Sequence, residues 1–242
     1  MPSEMDKIGL WSEVKLAMIR EYMPAYSKLV THSNLYHIYI DGFAGYGLHE
    51  SRTSGAIVAG SPVNALNTLP PFREYHFIDL NPAKVEKLRT YADGRADVHV
   101  HEGDCNAVLL RLLPRARREQ YRRALCLLDP YNIDLAWDVV AAAGSMKSVE
   151  LFLNFMVMDM NMNVLLHHPE KAQPSQIERM NKFWGDGSWR QAIYARQSNL
   201  FGEDDQVKLS DSNAKIAEAY RTRLIEVAGF RFRTPTSTAS QR

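Results

Sequence analysis

The sequence predicts a doubly wound α/β domain, a Rossmann-like and mainly parallel sheet with helices on both faces. Three observations carry this expectation. Five short runs are rich in β-branched, aromatic and aliphatic residues, helical segments alternate with them, and glycine, proline and acidic residues gather just after the runs. Parallel neighbours need a crossover, and a helix is the short right-handed way to make one.

In chain order, residues 1–33 form a helical N-terminal segment. Trp11–Val30 places Trp11, Val14, Met18, Tyr22 and Leu29 among Lys15, Arg20, Glu21 and Lys28, the pattern of an amphipathic helix, with a bend expected at Pro24. The strand-like runs are Tyr36–Ile40, Tyr75–Ile78, Val98–His101, Ala124–Leu128 and Val149–Phe155. Between them, Pro62–Leu69, Pro82–Ala92, Ala107–Arg123 and Leu135–Ala143 read as helices. A helical and loop insertion, residues 156–212, follows the fifth strand. Helix Ala214–Val227 comes next, and Gly229-Phe230-Arg231-Phe232 reads as the start of a sixth strand, with no hairpin partner in Thr234–Arg242. No low-complexity linker divides the chain, so residues 1–242 read as one domain.

Composition narrows the function classes. Apolar residues make up 45% and charged residues 24%, which argues against disorder and fibrous architecture. No apolar run approaches a membrane span, and Met1–Leu10 is charged rather than built like a signal peptide, so a cytoplasmic protein with no membrane partner is expected. Cys105 and Cys126 are the only cysteines, too few for a disulfide framework or a zinc site. His167-His168 lacks a ligating companion, and no metal is expected. The net charge of +1 leaves any nucleic-acid contact to a local patch.

Ligands of doubly wound sheets collect beyond the carboxyl ends of the strands. After the first strand stands Asp41-Gly42-Phe43-Ala44-Gly45-Tyr46-Gly47, whose glycines allow a tight turn and close backbone approach. Its spacing is not that of the dinucleotide fingerprint, which disfavours a dehydrogenase. The second strand ends at Asp79, placed to accept ribose hydroxyls, while Asn81 before Pro82 is the better helix cap. After the third strand comes Glu102-Gly103-Asp104-Cys105-Asn106, where Asp104 either accepts from an adenine amine or caps the next helix. After the fourth comes Asp129-Pro130-Tyr131-Asn132: a carboxylate and a backbone carbonyl that accept from a planar amine, with a ring to stack on it. The four strand ends together read as a nucleoside-cofactor site.

These residues resemble class I methyltransferases that use S-adenosylmethionine (SAM). Asp41 to Gly47 resembles the Asp-Pro-Phe-x-Gly-x-Gly motif of their amino-methyltransferase branch, with Gly42 in place of proline. Asp129-Pro130-Tyr131 resembles the branch's Asp-Pro-Pro-Tyr with one proline missing. The order Tyr39-Ile40-Asp41-Gly42-Phe43-Ala44-Gly45, Gly60-Ser61-Pro62, Asp129-Pro130-Tyr131 and Phe183-Trp184-Gly185 is similar to the bacterial three-Cys-motif partner family, roughly over Trp11 to Phe230. The resemblance implies SAM held by Asp41, Gly42, Phe43, Ala44, Gly45, Gly47, Ser61, Asp79, Asp104 and Cys105. It also implies catalytic roles for Asp129, Pro130 and Tyr131, an amine of nucleic acid as substrate, and association with a three-cysteine protein. Ser61 would cap a helix whose positive end faces the cofactor's carboxylate, and the loop Leu48–Gly60, with His49, Glu50 and Arg52, would lie at the mouth.

Two other readings stay open: a non-catalytic module that binds the three-cysteine partner, and a methyltransferase for a small molecule or peptide. Arg111, Arg115, Arg117, Arg118, Arg122 and Arg123 read as a solvated face at the amino end of the sheet, away from the site. Met156, Met158, Met160 and Met162 read as core or lid packing, and Trp184 and Trp189 as anchors of the insertion.

Overall fold

The computed structural model describes residues 5–198 and 204–231. The chain opens with strand β1 (Asp6–Ile8) and helix α1 (Leu10–His32), which continues through Pro24. Then come β2 (Tyr36–Asp41), β3 (Leu48–Ser51), β4 (Ile57–Ala59), α2 (Ser61–Leu66), β5 (Glu74–Asp79), α3 (Pro82–Ala92) and β6 (Val98–Glu102). The second half holds α4 (Cys105–Leu112), β7 (Arg122–Leu128), α5 (Trp137–Met146) and β8 (Val149–Leu153). Last are α6 (Val157–Asn163), α7 (Pro174–Trp184), α8 (Trp189–Ile193), β9 (Tyr194–Ser198), β10 (Asp204–Lys208) and α9 (Ser212–Glu226).

The central sheet has the order β6-β5-β2-β7-β8, and every pairing in it is parallel. The chain winds outward from β2 through β5 to β6, then crosses back to β7 and β8. The order therefore reverses between β2 and β7, and the crevice expected of a Rossmann-like sheet lies beyond Asp41 and Leu128. Side chains alternate with the period of two that a strand imposes. Ile38, Ile40, Cys126 and Leu128 enter one core with α4, α5, α7 and α9, while Tyr39, Leu125 and Leu127 enter the other with Ile19 and Met23 of α1 and Leu88 of α3. The double burial explains why these strands read as nearly continuous apolar runs.

The structure corrects the sequence reading in five places. The helix expected over Ala107–Arg123 ends at Leu112. Pro114 has no N–H to continue it, the chain passes through two 3-10 turns, and Tyr121 reverses it in the left-handed region (φ +55°), so that Arg122 and Arg123 open β7. The N-terminal segment carries β1 as well as a helix. The expected loop Leu48–Gly60 is largely the antiparallel pair β3 and β4, joined in parallel by β1 as a small three-stranded sheet. The 156–212 insertion is not helix and loop alone, because β9 and β10 form an antiparallel pair. Gly229 to Arg231 form no strand: Gly229 (φ +80°) turns the chain so that Phe230 N–H bonds to the Leu224 carbonyl, closing α9 instead of extending a sheet. Phe232 and Thr234–Arg242 lie outside the described residues.

Trp184 and Trp189 are buried and anchor the insertion, Trp184 donating to Ser188 Oγ at 2.9 Å and Trp189 to Asn181 Oδ1 at 2.8 Å. Met160 is buried while Met158 and Met162 face outward. No helix among the described residues is long and apolar enough to cross a membrane.

Candidate functional site

The site is built at the carboxyl pole of the parallel sheet. Its floor is Asp41, the last residue of β2, which is 1% exposed. Tyr39 O–H donates to Asp41 Oδ2 at 3.2 Å and Phe43 N–H to Oδ1 at 3.3 Å. Burial pushes the carboxyl up to about 7, against the opposing help of Ser61, the Phe43 N–H and Tyr39. No described lysine, arginine or histidine forms an ion pair with it. A buried carboxylate with no cation at hand is expensive unless something supplies the charge.

Above Asp41 the glycine turn is stitched to both neighbouring strands. Gly42 N–H bonds to the Leu127 carbonyl at 2.9 Å, Ala44 N–H to Ile78 at 3.0 Å, and Gly45 N–H to Asp79 Oδ2 at 2.9 Å. Gly45 and Gly47 take positive φ (+66° and +79°), which explains glycine at both. Gly42 is demanded by packing instead, since a Cβ there would meet Leu128 Cδ2 at 2.6 Å and Cys105 Sγ at 2.8 Å. Phe43 is partly buried against the α4 side of the core, and Ala44 is buried.

The remaining expected cofactor residues divide. Ser61 does not cap α2: Gly60 takes that position, drawn close to the Gly47 carbonyl by a 2.8 Å hydrogen bond, and Ser61 begins the helix with its hydroxyl directed to Asp41. Asp79 is not free as expected. Its oxygens accept from the N–H groups of Gly45 and Asn81 (2.9 and 2.8 Å), while Asn81 itself caps α3. Asp104 is an exposed cap of α4, accepting from Asn106 and Ala107. Cys105 is buried beneath Gly42, and burial raises its thiol well above the ordinary range, so the side chain is packing.

Asp129 stands across the crevice from Asp41. The Lys15 ammonium of α1 donates to both its oxygens, at 2.6 and 2.7 Å, and Asn154, just past β8, donates to Oδ1 at 2.7 Å. Pro130 is buried and Tyr131 is largely exposed. Lys84 of α3 lies 5.1 Å from the Tyr131 ring centre and 5.2 Å from that of Tyr46, and donates to Asp6 Oδ2 at 2.8 Å and to the Tyr131 hydroxyl at 3.1 Å. Burial works to lower the Lys84 pKa, but Asp6 and Tyr131 overcome it and raise it. His49 of β3 faces the turn between Gly45 and Gly60, its Nδ1 buried without a partner and its pKa lowered by burial.

The structure thus gathers Asp41, the turn, Ser61, Asp79 and Asp129 to Tyr131 at one pole, with Asp104 at its rim. Sequence reasoning missed Lys15, Lys84, Asp6 and Asn154. Asn154 had a signal, because it follows a strand at the correct pole. Lys15 and Asp6 had none, since their partners lie 114 and 78 residues away. No three His, Cys, Asp or Glu residues among those described are arranged to hold a metal.

No family model and no curated protein matches the sequence. A solved structure of a Legionella pneumophila protein, described by the family model DUF519, is 14% identical over 90% of this chain and 92% of its own, with a TM-score of 0.48.

Proposed function

We propose that the carboxyl pole binds SAM and that the chain transfers its methyl group to an amine held at Asp129 to Tyr131. The observation that carries this reading is the grip of Asp129 on an amine: its two oxygens receive the Lys15 ammonium, with Asn154 fixing the carboxylate from the side. A carboxylate so placed accepts from an amine donor, and the Tyr131 ring beside it suits a planar body such as a nucleobase.

The floor fits the cofactor's charge. Asp41, buried and without a cation, would regain its ionised form beside the α-ammonium of SAM, and the unpartnered Nδ1 of His49 offers a further hydrogen bond. When bound, SAM supplies a methyl group already activated on a sulfonium, so the protein's share of the rate is positioning. Asp129 and the Pro130 carbonyl hold the N–H groups of the acceptor, Tyr131 orients its plane, and the glycine turn leaves room for backbone approach. A base within a duplex would have to leave the stack to reach Asp129.

Calorimetric titration with SAM and S-adenosylhomocysteine tests the cofactor. Micromolar binding is expected, weakened at least tenfold in Asp41→Asn. That variant is a cleaner control than Asp79→Ala, which would also release the turn at Gly45. No binding at millimolar ligand would end the assignment. Labelled methyl transfer to nucleic-acid and peptide acceptors, lost in Asp129→Ala, tests the chemistry.

A second reading, an interaction module for a three-cysteine protein, draws on a different observation. Lys15 and Lys84 already occupy the polar groups of the acceptor side, while Trp11 (80% exposed), Met18 and Leu29 leave apolar side chains of α1 uncovered. SAM binding without any labelled acceptor, alongside retained partner capture by Asp129→Ala, would favour it.

A further inference from the structure

The five strands are parallel, so every strand begins at the same end of the sheet. That amino pole is rich in arginine. Arg73 directly precedes β5, Arg122 and Arg123 open β7, Arg117 and Arg118 lie in the 3-10 connection into β7, and Arg111 and Arg115 lie on and after the last turn of α4. Contacts tie these segments together: Tyr36 N–H bonds to the Tyr121 carbonyl at 3.0 Å, Arg122 N–H to Arg117 at 3.2 Å, and Arg122 Nη1 to the Arg115 carbonyl at 3.4 Å.

One carboxylate absorbs part of this charge. Glu74, 4% exposed, pairs with Arg115 at 2.6 Å and lies 3.9 Å from Arg122. Among the described residues, Arg73, Arg111, Arg117, Arg118 and Arg123 have no carboxylate partner, and all but Arg123 are exposed. Glu119 is the only acidic residue between Arg111 and Arg123. On a chain of net charge +1, this is a strong local excess.

We infer that the amino pole is a docking surface for the phosphate backbone of nucleic acid. Arginine rather than lysine dominates it, and the planar guanidinium fork matches a phosphate through paired hydrogen bonds. Tyr121, 72% exposed, stands among the arginines and offers a ring to an unpaired base, while the Arg122 guanidinium lies 4.4 Å from the Tyr36 ring centre. A strand of five to seven residues separates this pole from Asp129 by roughly 17–23 Å. The surface therefore anchors a polyanion beside the molecule, and does not itself thread a base into the crevice.

The test is fluorescence anisotropy of labelled mixed-sequence single- and double-stranded oligonucleotides with the full chain, across a salt series. Wild type is expected to bind in the micromolar range at about 0.1 M salt. Arg117→Glu/Arg118→Glu, on exposed positions outside regular strands, should weaken binding at least tenfold and reduce the log–log salt slope by about 2. The control Lys182→Glu, on α7, should bind as wild type. Absence of wild-type binding, or equal binding by the double variant, would overturn the inference. Equal competition by polyglutamate and by polyphosphate would transfer the surface to acidic proteins and likewise overturn it. Calorimetry with SAM on the same preparations keeps the two poles separate: the double variant should retain whatever SAM affinity the wild type has.

Discussion

Two carboxylates at opposite ends of the same sheet, Asp41 and Glu74, are almost equally buried, at 1% and 4% exposure, yet titrate in opposite directions. Burial raises Asp41 to about 7. Burial acts on Glu74 in the same sense, but His76 and Arg115 outweigh it and hold the carboxyl below its usual range. Burial sets the cost of a charge, and the partner decides whether the charge survives. The surroundings show the same division. Helix N-termini meet Asp79 and Asp104 at the carboxyl pole, and the last turn of α4 carries Arg111 at the amino pole, as helix dipoles favour. Glu74 reads as structural because it is satisfied. Asp41 accepts hydrogen bonds but meets no cation.

The largest expected effect breaks the satisfied end. Glu74→Gln leaves Arg115 and Arg122 without their anion and gives His76 a neutral amide in place of the carboxylate 2.7 Å away. Because Arg115 is half exposed, the loss should be roughly 2–3 kcal/mol by denaturant unfolding, below the figure for a fully buried pair. Loss under 0.5 kcal/mol would mean that the network contributes nothing net. Next comes Gly42→Ala at the other pole, where the added methyl collides with Leu128 and Cys105. Overpacking should cost about 2 kcal/mol, and the stabilising effect of SAM on the melting temperature should fall with it.

The two carboxylates also predict opposite pH slopes. Asp41 has a folded pKa above its unfolded value, so its contribution is complete below about 4 and is lost as pH rises towards 7. Glu74 has a lowered folded pKa, so its contribution is present above the ordinary glutamate range and is lost on acidification. His76, brought down to about 4 by burial, acts in the same sense as Glu74 when pH falls below about 6.5. Asp41→Asn should therefore flatten the decline between about pH 4 and 7, so that its stability relative to wild type grows across that window, by roughly 2 kcal/mol from pH 5 to pH 8. An unchanged pH profile in that variant would show Asp41 to have an unrecognised counter-charge.

The sequence made the strands and the candidate site's pole legible because both obey local rules. Buried parallel strands are uniformly apolar, and functional groups stand just past their carboxyl ends. Helix α3 was readable residue for residue because Asn81-Pro82 starts it and caps it. Three kinds of feature were not readable. Strand β3, Leu-His-Glu-Ser, carries a single apolar residue and β4 is three residues long, too little pattern to separate a small sheet from a loop. Leu113-Pro114 looked like a continuing helix because the arginines after it are good helix formers, and whether a helix survives a proline near its end depends on tertiary packing rather than on propensity. Glu74 was invisible as a hub because, besides His76 of its own strand, its partners come from three other segments, around His99, Arg115 and Arg122. Long-range pairing is a property of the fold, and only the fold discloses it.

Lys15 offers the smallest stability effect and the sharpest comparison of the two poles. Its pair with Asp129 is geometrically close but about one-third exposed on each side, so Lys15→Ala should cost less than about 1 kcal/mol. Helix α1 remains docked through Ile19, Met23 and Tyr26, which are buried. What changes is chemical: Asp129 loses its amine and keeps Asn154. If the carboxylate is an amine receptor, propylamine at about 0.1 M should raise the melting temperature of Lys15→Ala by about 1 °C, and should not do so in Lys15→Ala/Asp129→Asn. The same amine should leave Glu74→Gln unmoved, since that variant exposes cations rather than a carboxylate. Equal shifts in all three would reduce Asp129 to an ordinary surface ion pair and remove the main support for an acceptor at the carboxyl pole.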